Sequence, residues 1–328
     1  MIRDDILTLL NNTEDFLSGQ EISEKLGVSR TAIWKHINSL KNMGYDIESV
    51  NNKGYRLLSS PDLLTADVIK SYLKTGFIKD ICYYPKTDST NIRAKALSAE
   101  GKPSGTLVIA EEQTAGKGRR GRVWISPPKE SIYMSLLLKP DIDVLNASML
   151  TLIAAMAITK AIKELFPKNK DCCIKWPNDV VVGGKKICGI LTEMTTEADY
   201  IKDVVIGIGI NANTKHFDTE ISDIATSLYL SYGTNVNRAE LVAIVMHHLG
   251  RYYEIYLKTQ DMSGLLDEYN SMLVNINREI MIIENNKEWH AKAMGINDRG
   301  ALIVETSDGT RKEIISGEVS VRGIYGYV

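Results

Sequence analysis

The sequence predicts a multidomain α+β protein, because its local pattern changes twice along 328 residues. Helix-like segments and a hairpin pattern open the chain, apolar runs alternate with helical segments in the middle, and short strand-like runs follow. A chain of this length also exceeds the usual size of one domain. We therefore predict three domains, at residues 1–62, 63–271 and 272–328.

The composition is that of a globular protein with no overall attraction for nucleic acid. Apolar residues make up 44% of the chain, both charge signs are scattered along it, and the formal net charge is −2. Any contact with DNA must therefore come from a local patch of positive charge.

The first residues lack the charged-then-apolar pattern of a secretory signal and carry no lipidation motif, which predicts a cytoplasmic location. The most apolar helical stretch, 147–166, contains several polar residues, so we expect a buried core helix and no membrane partner. The four cysteines have no metal-ligand spacing, and the adjacent Cys172 and Cys173 are poorly placed for a disulfide. Reduced thiols in a reducing compartment are the expected state.

The first sixty residues have the spacing of a helix-turn-helix. Ser18 and Glu21 can form a capping box for a short helix through Leu26. Ser29 is placed to cap a longer helix that carries apolar residues at helical spacing and ends near Gly44. A short helix, a glycine-containing turn and a longer helix together predict this motif.

Charge indicates that the longer helix contacts DNA. No acidic residue occurs from 26 to 44, although residues 1–62 as a whole carry seven Lys and Arg against nine Asp and Glu. Two short strands at 47–50 and 55–58 would add a hairpin, or wing, whose cations can reach phosphates. The predicted DNA-binding residues are Ser29, Arg30, Thr31, Trp34, Lys35, Asn38, Lys53 and Arg56.

A three-helix packing module with a solvated basic face is the alternative for this segment. Periodicity also leaves open whether Trp34 packs in the core or meets base edges.

In the middle of the chain, the segment 116–122 concentrates four cations and three glycines in seven positions. Glycines let successive backbone amides converge on an anion, and the cations add attraction for phosphate or carboxylate. The segment has neither the P-loop pattern nor the dinucleotide fingerprint. It predicts a nucleotide-binding loop of another kind, and a surface loop that binds nucleic acid is the alternative.

Three further polar clusters lie beside predicted helices and strands. Residues 88–91, Asp-Ser-Thr-Asn, precede a helical run and could cap it or donate hydrogen bonds to a polar ligand. Residues 175–179, Lys-Trp-Pro-Asn-Asp, end one strand, and residues 183–189 turn into the next with two adjacent lysines.

Taken in order along the chain, these motifs resemble the biotin protein ligase family. The matching segments are Asp88 to Asn91, Gly116 to Arg122 with Trp124, Lys175 to Asp179, Lys186 to Gly189, and Gly207 to Asn211. With the N-terminal helix-turn-helix, the match covers nearly the whole chain and is similar to the long bacterial class that also represses the biotin operon. The resemblance implies ATP and biotin as substrates, with Mg²⁺ neutralising the leaving pyrophosphate.

The resemblance also implies the site residues. Those that bind biotin are Ser89, Thr90, Asn91, Gln113, Lys117, Gly118, Arg119 and Lys186. Those that bind the nucleotide are Gly116, Arg120, Gly121, Arg122, Trp124, Asn178, Asp179, Asn211 and Arg322. Lys186 and Arg119 are the implied catalytic residues, with Lys186 between the reacting carboxylate and phosphate, where a cation stabilises developing charge. Lys185 is the rival for that role, and no protein residue is predicted to bind a metal.

The last segment is predicted to form a small β barrel. Strand-like runs at 279–283, 288–294, 301–305 and 311–316 are separated by turns that contain Asn, Asp or Gly. The family has an SH3-like barrel at this place, which implies that 317–322 is its closing strand and that Arg322 reaches back toward the nucleotide.

The resemblance implies two macromolecular partners and one assembly. A biotin carboxyl carrier protein would supply the acceptor lysine, operator DNA would bind the helix-turn-helix, and the bound adenylate would promote a homodimer.

Two other functions compete with this interpretation. A lipoate-type ligase shares the adenylation chemistry, but the long basic loop argues against it; a ligand sensor without catalysis is disfavoured by residues 175–179 and the paired lysines.

Overall fold

The computed structural model describes residues 2–13, 15–42, 44–59, 62–169, 171–197, 200–284, 287–315, 319–323 and 327–328. The chain divides into two compact units. The smaller unit consists of Met1–Lys74 and Asn237–Ile244, and the larger unit consists of Thr75–Val236 and Val245–Val328.

The smaller unit begins with three helices, an antiparallel hairpin and a fourth helix. In chain order these are α1 (Ile2–Asn11), α2 (Gly19–Leu26), α3 (Arg30–Asn42), β1 (Asp46–Val50), β2 (Gly54–Ser59) and α4 (Ala66–Tyr72). The predicted helix-turn-helix with its wing is therefore present.

Cap geometry explains where α2 and α3 begin and where α2 ends. Ser18 Oγ accepts from Glu21 N at 3.1 Å and Glu21 Oε2 accepts from Ser18 N at 2.8 Å, which is the predicted capping box. Gly27 ends α2 in the left-handed conformation, with φ at 65°. Ser29 Oγ accepts from Ala32 N at 3.2 Å at the start of α3, as predicted.

An ion pair between a buried arginine and an exposed aspartate joins the two segments of the smaller unit. Arg238 is fully buried, and its Nε donates to Asp62 Oδ2 at 2.8 Å while its Nη2 donates to the Asp62 carbonyl oxygen at 3.1 Å. Because a buried guanidinium keeps its charge, these acceptors are needed to offset its desolvation. The pair ties Asn237–Ile244 to the residues that follow the wing.

The larger unit is built on a seven-stranded mixed sheet. Its strands are β3 (Asp80–Tyr84), β4 (Thr106–Ala110), β5 (Ile132–Leu138), β6 (Cys172–Lys175), β7 (Asp179–Val182), β8 (Lys185–Glu197) and β9 (Tyr200–Ile210). Their order is β3-β4-β5-β9-β8-β7-β6, with β3 and β4 parallel and the other neighbours antiparallel. The remaining helices are α5 (Thr90–Ala99), α6 (Met149–Leu165), α7 (Leu228–Tyr232), α8 (Arg238–Thr259) and α9 (Leu266–Met272), with short 3₁₀ turns at Arg119–Gly121 and Val144–Asn146. The first residues of α8, up to Ile244, belong to the smaller unit.

Helix α6 is the apolar helix expected from the sequence. The stretch Val144–Leu165 is long and apolar enough to cross a membrane by length and composition alone, but 72% of its most apolar part is buried inside the fold. α6 packs on β6, β7, β8 and β9. It is therefore a core helix that covers one side of the sheet, as predicted.

A second, antiparallel sheet forms the last part of the larger unit. Its strands are β10 (Glu279–Glu284), β11 (Lys287–Ile296), β12 (Leu302–Glu305), β13 (Arg311–Ile314) and β14 (Val319–Gly323), in the order β13-β12-β11-β10-β14. This is the predicted small β domain. Trp176 Nε1 donates to the Gly300 carbonyl oxygen at 3.1 Å, and Val274 N donates to the Ile174 carbonyl oxygen at 2.9 Å, so this part contacts the central sheet directly.

Candidate functional site

One pocket at the surface of the central sheet gathers all the residues predicted to bind biotin. They come from the start of α5, the segment after β4 that contains Gln113 and the glycine-rich loop, and β8, which are far apart in the sequence. The predicted biotin-binding residues that line it are Ser89, Thr90, Asn91, Gln113, Lys117, Gly118, Arg119 and Lys186. Trp124 and Asn178 from the predicted nucleotide set line the same pocket.

A hydrogen-bond network fixes the start of α5 on the floor of this pocket. The Thr90 backbone N–H and hydroxyl donate to Gln113 Oε1 at 2.8 and 3.1 Å, and Gln113 Nε2 donates to Ser126 Oγ at 3.0 Å. Ser135 Oγ, from the buried strand β5, lies 2.7 Å from Thr90 Oγ1 and 2.6 Å from Asn91 Oδ1. Such a network holds several polar groups in one arrangement before a ligand arrives.

Asn91 is held from the opposite side by β8. Its Nδ2 donates to Glu193 Oε2 at 2.7 Å and to the Leu191 carbonyl oxygen at 3.3 Å. Burial raises the pKa of Glu193, but hydrogen bonds from Lys95 and Asn91 outweigh that effect and the net pKa is lowered. A Cβ at position 207 would lie 2.2 Å from Asn91 Oδ1, so only glycine lets Asn91 approach β9 this closely. The sequence indicated neither Ser135 nor Glu193 as part of this site.

Ser89 precedes α5 but makes no capping hydrogen bond through its side chain. Helix capping therefore does not explain the polar residues Ser89, Thr90 and Asn91. The Ser89 backbone N–H instead donates to Asp88 Oδ1 at 2.6 Å. Arg93 donates to the same carboxylate from Nε and Nη2, at 3.0 and 2.6 Å, and this guanidinium lowers the pKa of Asp88 to about 2. Asp88 is thus an ionised anchor for the turn that presents Ser89.

The hairpin between β7 and β8 places Lys186 beside the pocket. Gly183 and Gly184 form a two-residue turn with φ at 56° and 80°, the left-handed geometry of a tight hairpin. Val181 pairs with Lys186 and Val180 with Cys188, so Ile187 lies in a bulge directly after the lysine. Turn and bulge together direct the side chain of Lys186 toward the pocket.

The two adjacent lysines have different partners. Lys186 Nζ lies 2.6 Å from Asp179 Oδ1, and both side chains are largely buried. Lys185 Nζ donates to the Ser222 carbonyl oxygen at 2.8 Å and does not line the pocket. The geometry therefore favours Lys186 over Lys185 as the cation that meets a ligand.

The glycine-rich loop contributes two cations, Lys117 and Arg119, to the pocket wall, and Trp124 directly after it contributes an aromatic ring. Arg119 Nη1 donates to Asn178 Oδ1 at 2.8 Å, and burial lowers the pKa of its guanidinium, although Asp179 opposes this effect. Arginine stays protonated even so. Trp124 lies against Gly209, where a Cβ would be 2.5 Å from the Cε2 atom of its ring. The buried Nε1 of Trp124 has no hydrogen-bond partner within the described part of the chain, so a donor is available to a ligand there.

Other residues of the predicted nucleotide set lie outside the pocket wall. They are Gly116, Arg120, Gly121, Arg122, Asp179 and Asn211. Asn211 Nδ2 donates to the Thr226 carbonyl oxygen at 3.0 Å and its backbone N–H to the Ile187 carbonyl oxygen at 2.8 Å, so it fixes the segment beside Lys186. The side chain of Arg322 lies outside the described residues.

The smaller unit presents α3 as its candidate DNA-reading helix. Ile33, Ile37 and Leu40 are buried, whereas Trp34 is 57% exposed, so its ring does not belong to the core. The other residues of α3 predicted to bind DNA are Arg30, Thr31 and Lys35, which are exposed, and Asn38, which is half-buried.

In the rest of the predicted DNA-binding set, Ser29 and Lys53 are exposed, and Arg56 is half-buried. Arg56 Nη2 pairs with Glu48 Oε2 at 2.7 Å, and its guanidinium lies 4.7 Å from the centre of the Phe16 ring. Its cation is thus already engaged within the smaller unit.

Comparisons with known proteins identify the family. The Biotin/lipoate A/B protein ligase family matches residues 83–211, an HTH domain matches residues 3–56, and the Biotin protein ligase C terminal domain matches residues 276–322. The chain is 39% identical to the "Bifunctional ligase/repressor BirA" of Bacillus subtilis (strain 168), over 98% of each chain. The chain belongs to the biotin protein ligase family.

Two further relatives support this assignment. The bifunctional ligase/repressor BirA of Escherichia coli (strain K12) is 33% identical, over 97% of this chain and 96% of the relative. The solved structure of the biotin protein ligase from Aquifex aeolicus in complex with biotin and ATP is 29% identical, with a TM-score of 0.65. It covers 75% of this chain and 100% of that chain. The Aquifex structure is thus matched in full by only part of this chain, whereas the relative from Escherichia coli matches nearly all of it.

Ser135→Ala should weaken the binding of biotin, because it removes the hydroxyl that holds both Thr90 and Asn91. An unsatisfied buried polar group costs about 1–3 kcal/mol, so we expect the KM for biotin to rise roughly tenfold while kcat changes little. Steady-state pyrophosphate release at varied biotin concentration measures both. Ser131→Ala is the matched control, since Ser131 is a buried serine that bonds Thr214 and does not line the pocket. Equal KM values for the Ser135 variant and this control would contradict the role of Ser135.

Proposed function

We propose that the chain joins biotin to ATP, releases pyrophosphate, and transfers the biotinyl group from biotinyl-5′-AMP to a lysine of a biotin carboxyl carrier protein. The observation that carries this proposal is a pocket that combines a fixed polar floor with two half-buried cations, Lys186 and Arg119. The floor suits the ureido head of biotin, since it offers hydroxyl and amide groups at fixed positions. The cations suit the meeting of a carboxylate with a phosphate.

In the first step, a carboxylate oxygen of biotin attacks the α-phosphorus of ATP, and the bond to the β-phosphate breaks as pyrophosphate leaves. Two anions must approach each other, so their repulsion has to be offset in the transition state. Lys186 supplies a positive charge at this point, and its ion pair with Asp179 limits where the ammonium can lie. Arg119 supplies a second charge, held by Asn178.

The wall of the pocket also protects the product. A mixed anhydride hydrolyses in water, so the site must exclude solvent until the acceptor arrives. Trp124 and the loop 116–122 cover the strands here, and glycines at 189 and 209 let the indole lie directly on them. The glycines of the loop permit it to close over an anionic ligand.

In the second step, the amine of the acceptor lysine attacks the carbonyl carbon of the adenylate. An amide bond forms, the bond to the phosphate oxygen breaks, and AMP leaves with the electron pair. AMP is a good leaving group, so no strong protein base is required. Two adjacent histidines are not placed to act as such a base. His248 pairs with Glu164 at 2.7 Å and packs beside His247, and neither histidine lines the pocket.

Mg²⁺ would enter this site together with ATP. Within the described residues, no group of three or more His, Cys, Asp or Glu side chains is placed to hold a metal ion. Mg²⁺ is usually bound through one or two carboxylates together with substrate phosphates, and Asp179 is the carboxylate next to Lys186. When bound, it would neutralise charge on the leaving pyrophosphate.

A test of the first step also separates this function from its alternatives. The purified chain is incubated with ATP labelled at the α-phosphate and with either biotin or lipoate, and the labelled acyl-adenylate is separated from ATP. We expect biotinyl-AMP and little lipoyl-AMP. Preferential use of lipoate would favour a lipoate-type ligase, and no adenylate with either acid would favour a ligand sensor without catalysis.

The proposal includes repression of biotin genes, with the adenylate as corepressor. Exposed Arg30, Trp34 and Lys35 on α3 support DNA binding by this helix. A homodimer that forms when adenylate binds would present two such helices to one operator. We place the protein in the cytoplasm, which the four free cysteines support.

Adenylate should strengthen operator binding, because two linked reading helices gain affinity through effective concentration. The residues 1–62 carry more acids than bases, so one copy alone should hold DNA poorly. Typical couplings correspond to an increase of about 5- to 150-fold. Titration of labelled operator DNA at fixed salt, with biotin plus ATP and with neither, measures the factor.

Thermodynamic linkage gives a second way to measure the coupling between adenylate binding and DNA binding. DNA must raise the affinity for adenylate by the same factor by which adenylate raises the affinity for DNA. Biotin without ATP is the control, since it cannot yield the adenylate. Equal operator affinities with biotin plus ATP, with biotin alone and with neither would contradict the corepressor role. They would not contradict the proposed ligase activity.

A further inference from the structure

Tyr327 contacts the hairpin between β7 and β8, although it follows the second sheet in the chain. Its hydroxyl donates to Asp179 Oδ2, the carboxylate at the start of β7. Lys175 Nζ, which is buried, lies 3.3 Å from the centre of the Tyr327 ring. The tyrosine thus contacts both ends of the Lys-Trp-Pro-Asn-Asp motif, at residues 175 and 179.

Val328, the residue after Tyr327, packs against both the second sheet and the hairpin between β7 and β8. A Cβ at Gly323, in β14, would lie 2.1 Å from the Val328 carbonyl carbon, so Val328 packs directly on that strand. A Cβ at Gly184, in the turn before the lysine pair, would lie 3.2 Å from Val328 Cγ2. Tyr327 is therefore held where its hydroxyl meets Asp179.

Asp179 connects Tyr327 to the reacting cation. Its Oδ2 accepts from the Tyr327 hydroxyl, while its Oδ1 forms an ion pair with Lys186 Nζ at 2.6 Å that lies outside hydrogen-bond geometry. A partial turn of the carboxylate moves Oδ2 away from the Tyr327 hydroxyl and Oδ1 away from the ammonium, so the hydrogen bond from the phenol opposes that turn. Lys186 has several rotatable bonds, so the direction of its ammonium depends on where Asp179 Oδ1 lies.

We propose that Tyr327 is a positioning residue for Lys186, acting through Asp179. This inference rests on the proposed role of Lys186 in adenylate formation. It assigns a part in the first chemical step to a residue outside the pocket wall. Removing only the phenol oxygen frees Asp179 to turn and lets the ammonium of Lys186 leave the path between carboxylate and phosphate.

Tyr327→Phe tests the proposal while keeping the ring over Lys175. We expect adenylate formation in a single turnover to slow about tenfold, because small displacements of a catalytic group have effects of this order or larger. The KM for biotin should change by less than about threefold, since the polar floor of the pocket is untouched. Tyr200→Phe is the matched control: its hydroxyl donates to Glu197 at 2.7 Å on an exposed hairpin, far along β8 from the site.

A double-mutant cycle separates positioning from a merely structural effect. If Tyr327 acts through Asp179, then Tyr327→Phe should slow the reaction by less than about twofold in an Asp179→Ala background. An equal slowing in both backgrounds would overturn the proposal. So would unchanged kinetics of Tyr327→Phe in the wild-type background. If Asp179→Ala does not fold by circular dichroism, the cycle is run with Asp179→Ser.

The same assay distinguishes failure of this inference from failure of the proposed function. A normal rate for Tyr327→Phe together with a strongly impaired Lys186→Ala variant overturns the role of Tyr327 alone. A wild-type protein that makes no biotinyl-AMP, or a Lys186→Ala variant that makes it normally, overturns the proposed function and this inference with it.

Discussion

Replacing Lys186 by alanine will slow adenylate formation about 100- to 1,000-fold, which is the loss seen when one charge-stabilising donor leaves a water-excluded site. A tight turn and a bulge place the ammonium of Lys186 beside the pocket, and both backbone features remain when this side chain is truncated. The fold should survive, because Lys186 is not part of the apolar core. Pyrophosphate release at saturating biotin and ATP measures the rate, and thermal unfolding checks the fold.

Lys185→Ala is the matched control for this prediction. It removes the same charge from the neighbouring position, but Lys185 bonds the Ser222 carbonyl oxygen and does not line the pocket. We expect its rate to stay within about threefold of wild type. The assignment of Lys186 would be refuted by the reverse pattern, with the Lys185 variant impaired and the Lys186 variant active.

Arg119→Gly should still make adenylate but release it too early. Arg119 is a half-buried cation on a loop that contains three glycines, and its partner is the side chain of Asn178. Hydrogen bonds to charged groups contribute roughly 1.5–3 kcal/mol, so we expect biotinyl-AMP to dissociate about 10- to 100-fold faster. Free adenylate reacts with any accessible amine, so lysines of a bystander protein should become biotinylated.

Retention of adenylate by gel filtration, followed by blotting of an added bystander protein for biotin, measures both effects. Lys129→Gly is the control, because Lys129 is exposed, lies outside the pocket wall and has a positive φ of 68° that glycine adopts easily. Adenylate that stays bound to the Arg119 variant as long as to wild type would rule out a retaining role for this residue.

Local signals predicted the elements of the fold well. The capping box at Ser18 and Glu21 acts over three residues, and the left-handed cap at Gly27 is a property of one residue. Such features depend only on residues that are adjacent in the sequence, so the sequence alone predicts them correctly. The order of the strands was not predicted, because β5 pairs with β9, a distant segment of the chain, and not with the next strand in sequence.

The candidate site was predicted where glycines and charges cluster and missed where distant residues meet. Ser135 lies in a strand whose residues are all buried, so alternation gave no sign that its hydroxyl serves Thr90 and Asn91, more than forty positions away. Glu193 and Tyr327 were missed for the same reason. Each acts on a site residue that is about a hundred or more positions away in the sequence.

Other site residues bond the protein in ways that their motifs did not indicate. Asn211 was expected to bind nucleotide, whereas its amide holds the Thr226 carbonyl oxygen. Asn178 holds Arg119 as well as lining the pocket. A motif indicates that a polar group is required, but its partner depends on packing between segments. Nucleotide contact by these residues stays a prediction.

The central claim is tested most directly by transfer of biotin to a carrier. The purified chain is incubated with biotin, ATP and a biotin carboxyl carrier domain, and the mass of the carrier is measured. We predict one added biotinyl group that requires ATP, and none on a carrier whose acceptor lysine is replaced by arginine. A carrier of unchanged mass in the complete reaction, with the chain folded and the carrier modified by a known ligase, would contradict the account.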